Sequence, residues 1–457
     1  MNAIANLKNT LDPPAIGREC HEFIAQLFPI CRSITGNGFR QTLAQIQKHL
    51  PLTIHEVPSG SQVFDWTVPR EWNIRDAYVK NSRGEKVIDF QRSNLHVVNY
   101  SVPFSGKMSL EELRQHLFSS PEHPLWIPYR TSYYRDTWGF CVSHRQLEQF
   151  REDDYEVCID STLENGSLTY GEILLPGTTE DEVLISCHAC HPSLCNDNLS
   201  GVAVATFLAK SLMSSEPRYS YRFLFIPGTI GSITWLSRNE NNVHRIKHGL
   251  VLSCVGDRGP LSYKKSRRGD AEVDRAALQV LKHSGHECKV AEFSPYGNDE
   301  RQYCSPGFDL PIGRLSRTPD GEFPEYHTSA DDLSFVDGAA LGDSFNGCLA
   351  IFEVLEENRV YVNQNPKCEP QLGKRGLYRA FGGYGDSETR ELAMLWVLNQ
   401  SDGSKSLLDI AERSGLSFDE IRLAAHRLCE HGLLKERVAA GQPAQNVRAA
   451  SKHLVSR

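Results

Sequence analysis

Two histidines three positions apart, His188 and His191 in the run Cys187-His188-Ala189-Cys190-His191-Pro192, are followed by a carboxylate flanked by two amides, Asn196-Asp197-Asn198. Further along come Asp257, Asp299 in Asn298-Asp299-Glu300-Arg301, and His327 in Tyr326-His327-Thr328-Ser329-Ala330-Asp331-Asp332. Imidazole nitrogens combined with carboxylate oxygens suit Zn2+, whose catalytic sites usually keep three protein ligands and one open position. A carboxylate has two oxygens, so Asp197 can bridge, and the set would serve one or two zinc ions. Each residue alone also has a plainer reading. A lone histidine near a strand end is more often structural than a ligand. Asn-Asp-Asn before an apolar helix is a good N-cap, Asp257 before Gly259-Pro260 caps a turn, and the His327 run reads as a loop with a helix cap. Their common placement in the fold carries the metal reading.

That placement comes from the elements around them. From about residue 150 to 360, short apolar runs alternate with helical patterns. VLISC, YRFLFIP, GLVLSCVG and LPIGRLS read as strands, while LSGVAVATFLAKSLMS and VDRAALQVLKHSG read as helices. Such alternation implies βαβ units and a mostly parallel sheet. Ligands of these sheets bind beyond the C-terminal strand ends, and His188, Asp257 and His327 all follow strands. Residues 1–50 supply helices to the same domain, which then resumes at 136 and runs to 360. Residues 51–135, short β-branched and aromatic runs broken by Pro and Gly, read as a β-rich inserted domain. Residues 361–375 read as a polar linker. Residues 376–457 hold three helical patterns with a Gly turn between the last two, the pattern of a winged helix-turn-helix, followed by an Ala/Gln/Arg-rich tail that reads as a wing or as disorder. The fold class is therefore α/β, a mostly parallel mixed sheet flanked by helices, with a small β-rich insertion and a C-terminal winged helix.

The block CHACHPSLCNDNLSGVA resembles the motif of an aminopeptidase-like family of largely unassigned function, related to the zinc aminopeptidases and glutaminyl cyclases of peptidase clan MH. DWTVPREWNIRDAYV, SNLHVVNYSVPFSG, IPYRTSYY, YKKSRRGD, NDERQYCSPGFDLP and EYHTSADDLSFV extend the resemblance over nearly the whole chain. It implies that His188 (with His191 as the alternative) and Asp197 are metal ligands and that His327 is the late histidine ligand. Asp257 takes a further ligand position for which Cys254 competes. Asp299 resembles an active-site aspartate of the relatives.

Two positions depart from the pattern. Cys190 stands where the relatives' His-x-Asp has the carboxylate that orients the imidazole. Gly228, in FLFIPGTIGSITWL, stands where the relatives carry the Glu that acts as general base. A general base typically contributes about 10²–10⁴ in rate, and glycine cannot take a proton. Glu240 and Glu272 are the nearest glutamates downstream, and neither lies at the strand end. The expectation is a zinc-dependent amide hydrolase with impaired turnover. The rivals are a metal- and ligand-binding protein without activity, chemistry that relies on Asp299 or on the substrate itself, and a winged-helix regulator.

Beside Asp257 lies the basic run Lys264-Lys265-Ser266-Arg267-Arg268. Arg267 and Arg268 are candidates to hold a substrate carboxylate or phosphate, since a guanidinium contacts such groups bidentately, and Arg301 and Tyr303 invite the same reading. Arg130, Tyr133 and Tyr134 are candidates to close over the site from the insertion, against the plainer reading of a packed aromatic cluster. The chain has 457 residues, a net charge of −8 and a pI near 6.1, so no overall basic excess points to nucleic acid. The helix pattern SFDEIRLAAHRLCEHG mixes acids with bases, so self-association is the expected role of the winged helix rather than phosphate binding. No run approaches the length of a bilayer span, no secretory leader is visible, and the 13 Cys show no framework spacing, so reduced thiols and a cytoplasmic location are expected. The expected partner is a small peptide-like or aminoacylated substrate.

Overall fold

The structure is a computed structural model and describes residues 3–151, 154–377 and 386–437. The chain forms two compact units, Met1–Glu356 and Glu357–Arg457. The first is built on an eight-stranded mixed sheet. Its strands are β1 (Thr53–Pro58), β2 (Ser167–Leu175), β3 (Glu182–His188), β4 (Ser220–Ile226), β5 (Ile246–Leu252), β6 (Leu261–Lys264), β7 (Cys288–Ala291) and β8 (Ile312–Ser316). Their spatial order is β1-β2-β4-β3-β5-β8-β6-β7. The central strands β4, β3, β5 and β8 are parallel, with Ser186 of β3 opposite Leu224 on one side and Val251 on the other. The flank β1-β2-β4 is antiparallel, as is the β6–β8 pair.

The sequence explains the centre. Strand β3 reads EVLISCH and is buried at every position, as expected of a parallel strand covered on both faces. The crossover from β3 to β4 is the helix Gly201–Leu212, nearly all of it buried, with Val202, Val204 and Leu208 fully enclosed. Each such side chain contributes roughly 1.5–3 kcal/mol. The helix Pro13–Leu27 covers it, Phe23 meeting Phe207 edge-on at 6.2 Å.

The insertion is a four-stranded antiparallel sheet in the order Lys86–Asp89, Glu71–Lys80, Asp154–Glu164, Phe104–Ser109. It has its own core, including Val79, Leu113, Phe140 and Val157. Its bounds differ from the sequence reading. β1 belongs to the central sheet, and Asp154–Glu164 belongs to the inserted one. Period-2 alternation marks a strand but not the sheet it joins.

The second unit has a three-stranded antiparallel sheet, Asp402–Ser406, Val360–Asn363 and Leu434–Glu436, with helices Asp386–Gln400, Leu407–Ser414 and Phe418–Glu430. Ser406 with Asp409 and Ser417 with Glu420 form capping boxes that start the last two helices, and Gly415 at φ 73° stops the first of these. Val360–Asn363, which runs into the segment read as linker, is the middle strand. The tail beyond 437, read as wing or disorder, lies outside the described residues. Among the described residues no helix is long and apolar enough to cross a membrane. All 13 cysteines are free.

Candidate metal centre

His188 is the last residue of β3, and the chain then loops back through 195–200 into the helix Gly201–Leu212. This loop is pinned by the amides on either side of Asp197. Asn198 Nδ2 donates to Leu252 O at 2.9 Å, and its Oδ1 accepts from the Cys254 amide at 3.1 Å. Asn196 Oδ1 accepts from the Gly256 amide at 2.8 Å, and its Nδ2 donates to Asp257 at 2.9 Å. Gly201 permits the close turn, since a Cβ there would lie 2.6 Å from both the Asn198 amide and Leu252 O. From the other side, Asp331 accepts the backbone amides of Asn196 at 2.6 Å and Asp197 at 2.9 Å. Neighbouring side chains thus tie down the backbone, and the Asp197 carboxylate between the two amides turns to the histidines.

Asp197 Oδ1 lies 2.8 Å from His188 Nε2 and 4.0 Å from His191 Nδ1, while Oδ2 lies 2.9 Å from His327 Nε2. Ligand-type atoms of His188, His191 and Asp197 all fall within 4.8 Å of one another. Burial would push the Asp197 carboxyl up, but His191, His188 and His327 together hold it well below the usual carboxylate range. Burial pulls His188 down, and its bond to Asp197 outweighs this and raises it. Burial drives His191 to about 3, so its ring is neutral. Its Nδ1 is buried without a hydrogen-bond partner, which is unusual for a polar atom in a folded interior. A neutral imidazole with an unpartnered nitrogen, a second imidazole and an ionised carboxylate make a donor set that fits a divalent cation such as zinc.

The inserted domain completes this centre. The Tyr129 amide donates to His327 O at 2.7 Å, and the Ser329 amide donates to Ile127 O at 2.8 Å, so residues 127–129 pair antiparallel with 327–329. Held this way, His327 adopts φ 55°, a left-handed conformation uncommon outside glycine. The Tyr129 ring stands edge-on to His191 and to His327, each at 5.2 Å. Its hydroxyl meets that of Tyr133 at 3.1 Å. Tyr129 and Asp331 were not singled out in the sequence, although both lie in the runs IPYRTSYY and EYHTSADDL that carried the resemblance.

The two departures meet. The Gly228 backbone amide donates to the Cys190 thiol, which burial pushes up to about 12 and therefore keeps neutral. A Cβ built on Gly228 would lie 3.1 Å from His188 Cβ and 3.8 Å from Asp299 Oδ2. Asp299 is fully buried, and its Oδ1 accepts the Ser232 hydroxyl at 2.7 Å. Its Oδ2 has no partner. Burial raises its carboxyl to about 6, with Glu300 adding and His188 opposing.

Other candidates are placed elsewhere. Asp257 is engaged on both oxygens, accepting Gly259 N at 2.6 Å, Thr318 Oγ1 at 2.7 Å, Asn196 Nδ2 and Thr318 N, so it supports the loop behind Asp197. Cys254, the alternative there, is a buried thiol at φ 55°. Arg267 and Arg268 both bind Asp309, at 2.9 and 3.3 Å. Tyr303 is fully buried and hydrogen-bonds Ser186 at 2.9 Å, beneath β3. Arg301 has a buried Nε without a partner. Arg130 lies over the Phe118 ring at 4.7 Å, and Tyr134 packs on Trp66.

Comparison with known proteins agrees with the fold. Residues 21–358 match the family described as a domain of unknown function (DUF4910), and residues 359–436 match a winged helix-turn-helix family. A Clostridium acetobutylicum protein, provisionally named a polysaccharide biosynthesis protein with an aminopeptidase-like domain, is 56% identical over 419 residues, which is 92% of this chain and 96% of that one. A crystal structure from the same organism, provisionally named a peptidase, is similar with a TM-score of 0.89 at 53% identity, covering 95% of this chain and 98% of its own. The zinc aminopeptidase of Bacillus subtilis shares the fold at 12% identity, with a TM-score of 0.53 over 73% of this chain and 94% of its own. The chain belongs to the DUF4910 family, an aminopeptidase-like domain that is followed here by a winged helix-turn-helix.

Proposed function

We propose that this protein is a zinc-dependent hydrolase of an amide bond in a small peptide-like or aminoacylated substrate, with turnover weakened by Gly228. The observation that carries the reading is the buried Asp197 carboxylate held between His188 and His327, with the unpartnered His191 nitrogen 4.0 Å away. His188, His191 and Asp197 would hold the ion, with His327 on the other carboxylate oxygen. The ion would supply a Lewis acid that polarises the scissile carbonyl. The names of the Clostridium relatives and the fold of the zinc aminopeptidases support the same direction.

The chain's own residues handle the proton. With glycine at 228, Asp299 is the nearest carboxyl to the vacated place. Ionised above about pH 6, it takes a proton from the attacking water and returns it to the leaving amine. Asp331 and the two flanking asparagines keep Asp197 in place. Arg301, with its unpartnered buried nitrogen, is the candidate to receive a substrate carboxylate.

The test is the metal content of the purified protein, native and Asp197→Ala, followed by a screen of aminoacyl anilides. Near-stoichiometric zinc that is lost in the variant, with hydrolysis of any substrate, supports the reading. A native protein that takes up no zinc overturns it. Gly228 favours a second reading, in which the site binds metal and ligand without turnover. Restoring the carboxylate separates the two: Gly228→Glu should raise hydrolysis tenfold or more, toward the about 10²–10⁴ typical of a general base.

A further inference from the structure

We infer that the first unit carries a second binding site, separate from the metal centre, whose ligand is an uncharged oligosaccharide. The site is the cleft between the inserted sheet and the segment 28–41 of the aminopeptidase-like domain. The inference goes beyond the hydrolase reading and stands independently of it.

The cleft has room, and solvent reaches it. Its volume is about 1160 Å³, more than the roughly 300–1,000 Å³ of ordinary small-molecule sites, so it admits more than one sugar ring. Ser33, Thr35, Trp72 and Ser193 line it as a buried floor, whereas Asn37, Gln41, Gln91 and Arg92 are exposed lining residues at its rim. None of His188, His191, Asp197 and His327 lines it.

The walls are fastened before any ligand arrives. The Trp72 amide donates to Thr35 Oγ1 at 3.0 Å, and the Asn37 amide to Asn73 Oδ1 at 2.7 Å. Arg40 grips both oxygens of Glu71, at 2.8 and 2.7 Å, which ties the helix Asn37–Ile46 to the strand Glu71–Lys80. The Ser193 hydroxyl donates to Phe28 O at 2.7 Å on the floor. A cleft held this way does not have to be ordered on binding, which is the cost that preorganisation removes.

The lining selects the ligand. Gln41 of the helix, Gln91 and Asn94 of the loop after Asp89, and Thr162, opposite Asn73 in the inserted sheet, offer amides and a hydroxyl that both donate and accept. Half-buried Phe28 and Phe90 add aromatic surface from the two sides. A sugar matches this mixture, with hydroxyls around its edge and apolar C–H groups on its face. Charge argues against an anion. The lining has two cations, and Arg75 is already paired with Asp160 through Nε at 2.8 Å and through Nη2. That leaves the exposed Arg92 as a single guanidinium, with Asp332 as an opposing carboxylate in the same lining. A phosphate or a polyanion would need more positive charge than this.

The experiment uses the full-length protein and an immobilised panel of uncharged tri- and tetrasaccharides of glucose, galactose, mannose and N-acetylglucosamine. Glucuronate- and phosphate-bearing members and tetra-alanine stand beside them, and calorimetry follows on whatever binds. At least one uncharged member should bind, with an affinity that is unchanged between roughly 50 and 500 mM salt, since no ion pair carries it. Gln41→Ala with Thr162→Val should weaken it about tenfold, as the loss of one or two hydrogen bonds does. Gln41→Trp, at an exposed helix position, should block the cleft and abolish binding, and an unchanged melting temperature in each variant shows that the fold is kept. No binding to any uncharged member, or equal binding by native protein and both variants, overturns the inference. So does a panel in which only acidic members or tetra-alanine bind, or an affinity that collapses as salt is added, because the ligand is then not an uncharged sugar.

Discussion

Asp197 keeps its negative charge in a fully enclosed place because three imidazoles surround it, and that same geometry suits it to a divalent cation. Uptake of such a cation would compete with protons on His188. Because its bond to Asp197 raises His188 above the ordinary imidazole value of about 6.5, zinc affinity should already fall as pH drops toward that value and fall steeply below it, which a chelator competition at stepped pH would measure. Asp331 acts one step further out, through the Asn196 and Asp197 amides. Asp331→Ala should lower zinc affinity about 10–100-fold, as loss of such an outer partner does, and the same titration would show it. Asp299 has the opposite character. Its carboxyl is raised from 3.8 to about 6 by burial, so the fold favours the protonated form. The folded state then binds the proton more tightly than the unfolded chain, and stability falls as pH rises from about 4 through 6, by up to about 3 kcal/mol. Asp299→Asn should flatten that slope in urea unfolding of the metal-free protein at pH 5 and pH 7. An unchanged slope would mean that Asp299 is not enclosed as described.

Between elements, the decisive contact is the short antiparallel pairing of 127–129 with 327–329, which seats Tyr129 against two imidazoles. Tyr129→Ala would remove a buried aromatic, a change that usually costs about 3–5 kcal/mol, and should weaken zinc binding at least tenfold. Tyr129→Phe loses only the bond to Tyr133, worth about 1 kcal/mol, and should keep the metal. Thermal unfolding with and without zinc separates the two variants. This pairing was not legible in the sequence, because the partners lie 200 residues apart and neither run has a strand's length. What was legible followed from the alternation of strands and helices, which carries His188 and Asp197 to one end of the sheet. Direction was less legible than position. Asp257 and Cys254 follow the same strand, and only the structure turns Asp257 onto Thr318 and Asn196. Likewise Tyr303 points inward to Ser186, and Arg267 and Arg268 to Asp309, although the sequence marks all three only as near the strand ends.

At the scale of the whole molecule, the winged helix-turn-helix raises the question of nucleic acid, and charge answers it. Phosphate contacts dominate such binding and require a clear basic excess. The chain carries a net charge of −8. In the helix Phe418–Glu430, where a reader of the major groove would place its contacts, the exposed residues are Asp419, Leu423, Arg427 and Glu430. Arg422, the other arginine of this helix, is buried and paired with Asp419 at 3.3 Å. The surface thus offers one exposed guanidinium against two exposed carboxylates, with a half-exposed leucine between them, and suits a protein partner better than a polyanion. The full chain should therefore leave the anisotropy of a labelled random duplex unchanged at roughly 50 mM salt, the condition that most favours counterion release. A rise in anisotropy that disappears as salt is added would show that another face of this unit reaches phosphate, and would move the regulator reading ahead of the hydrolase.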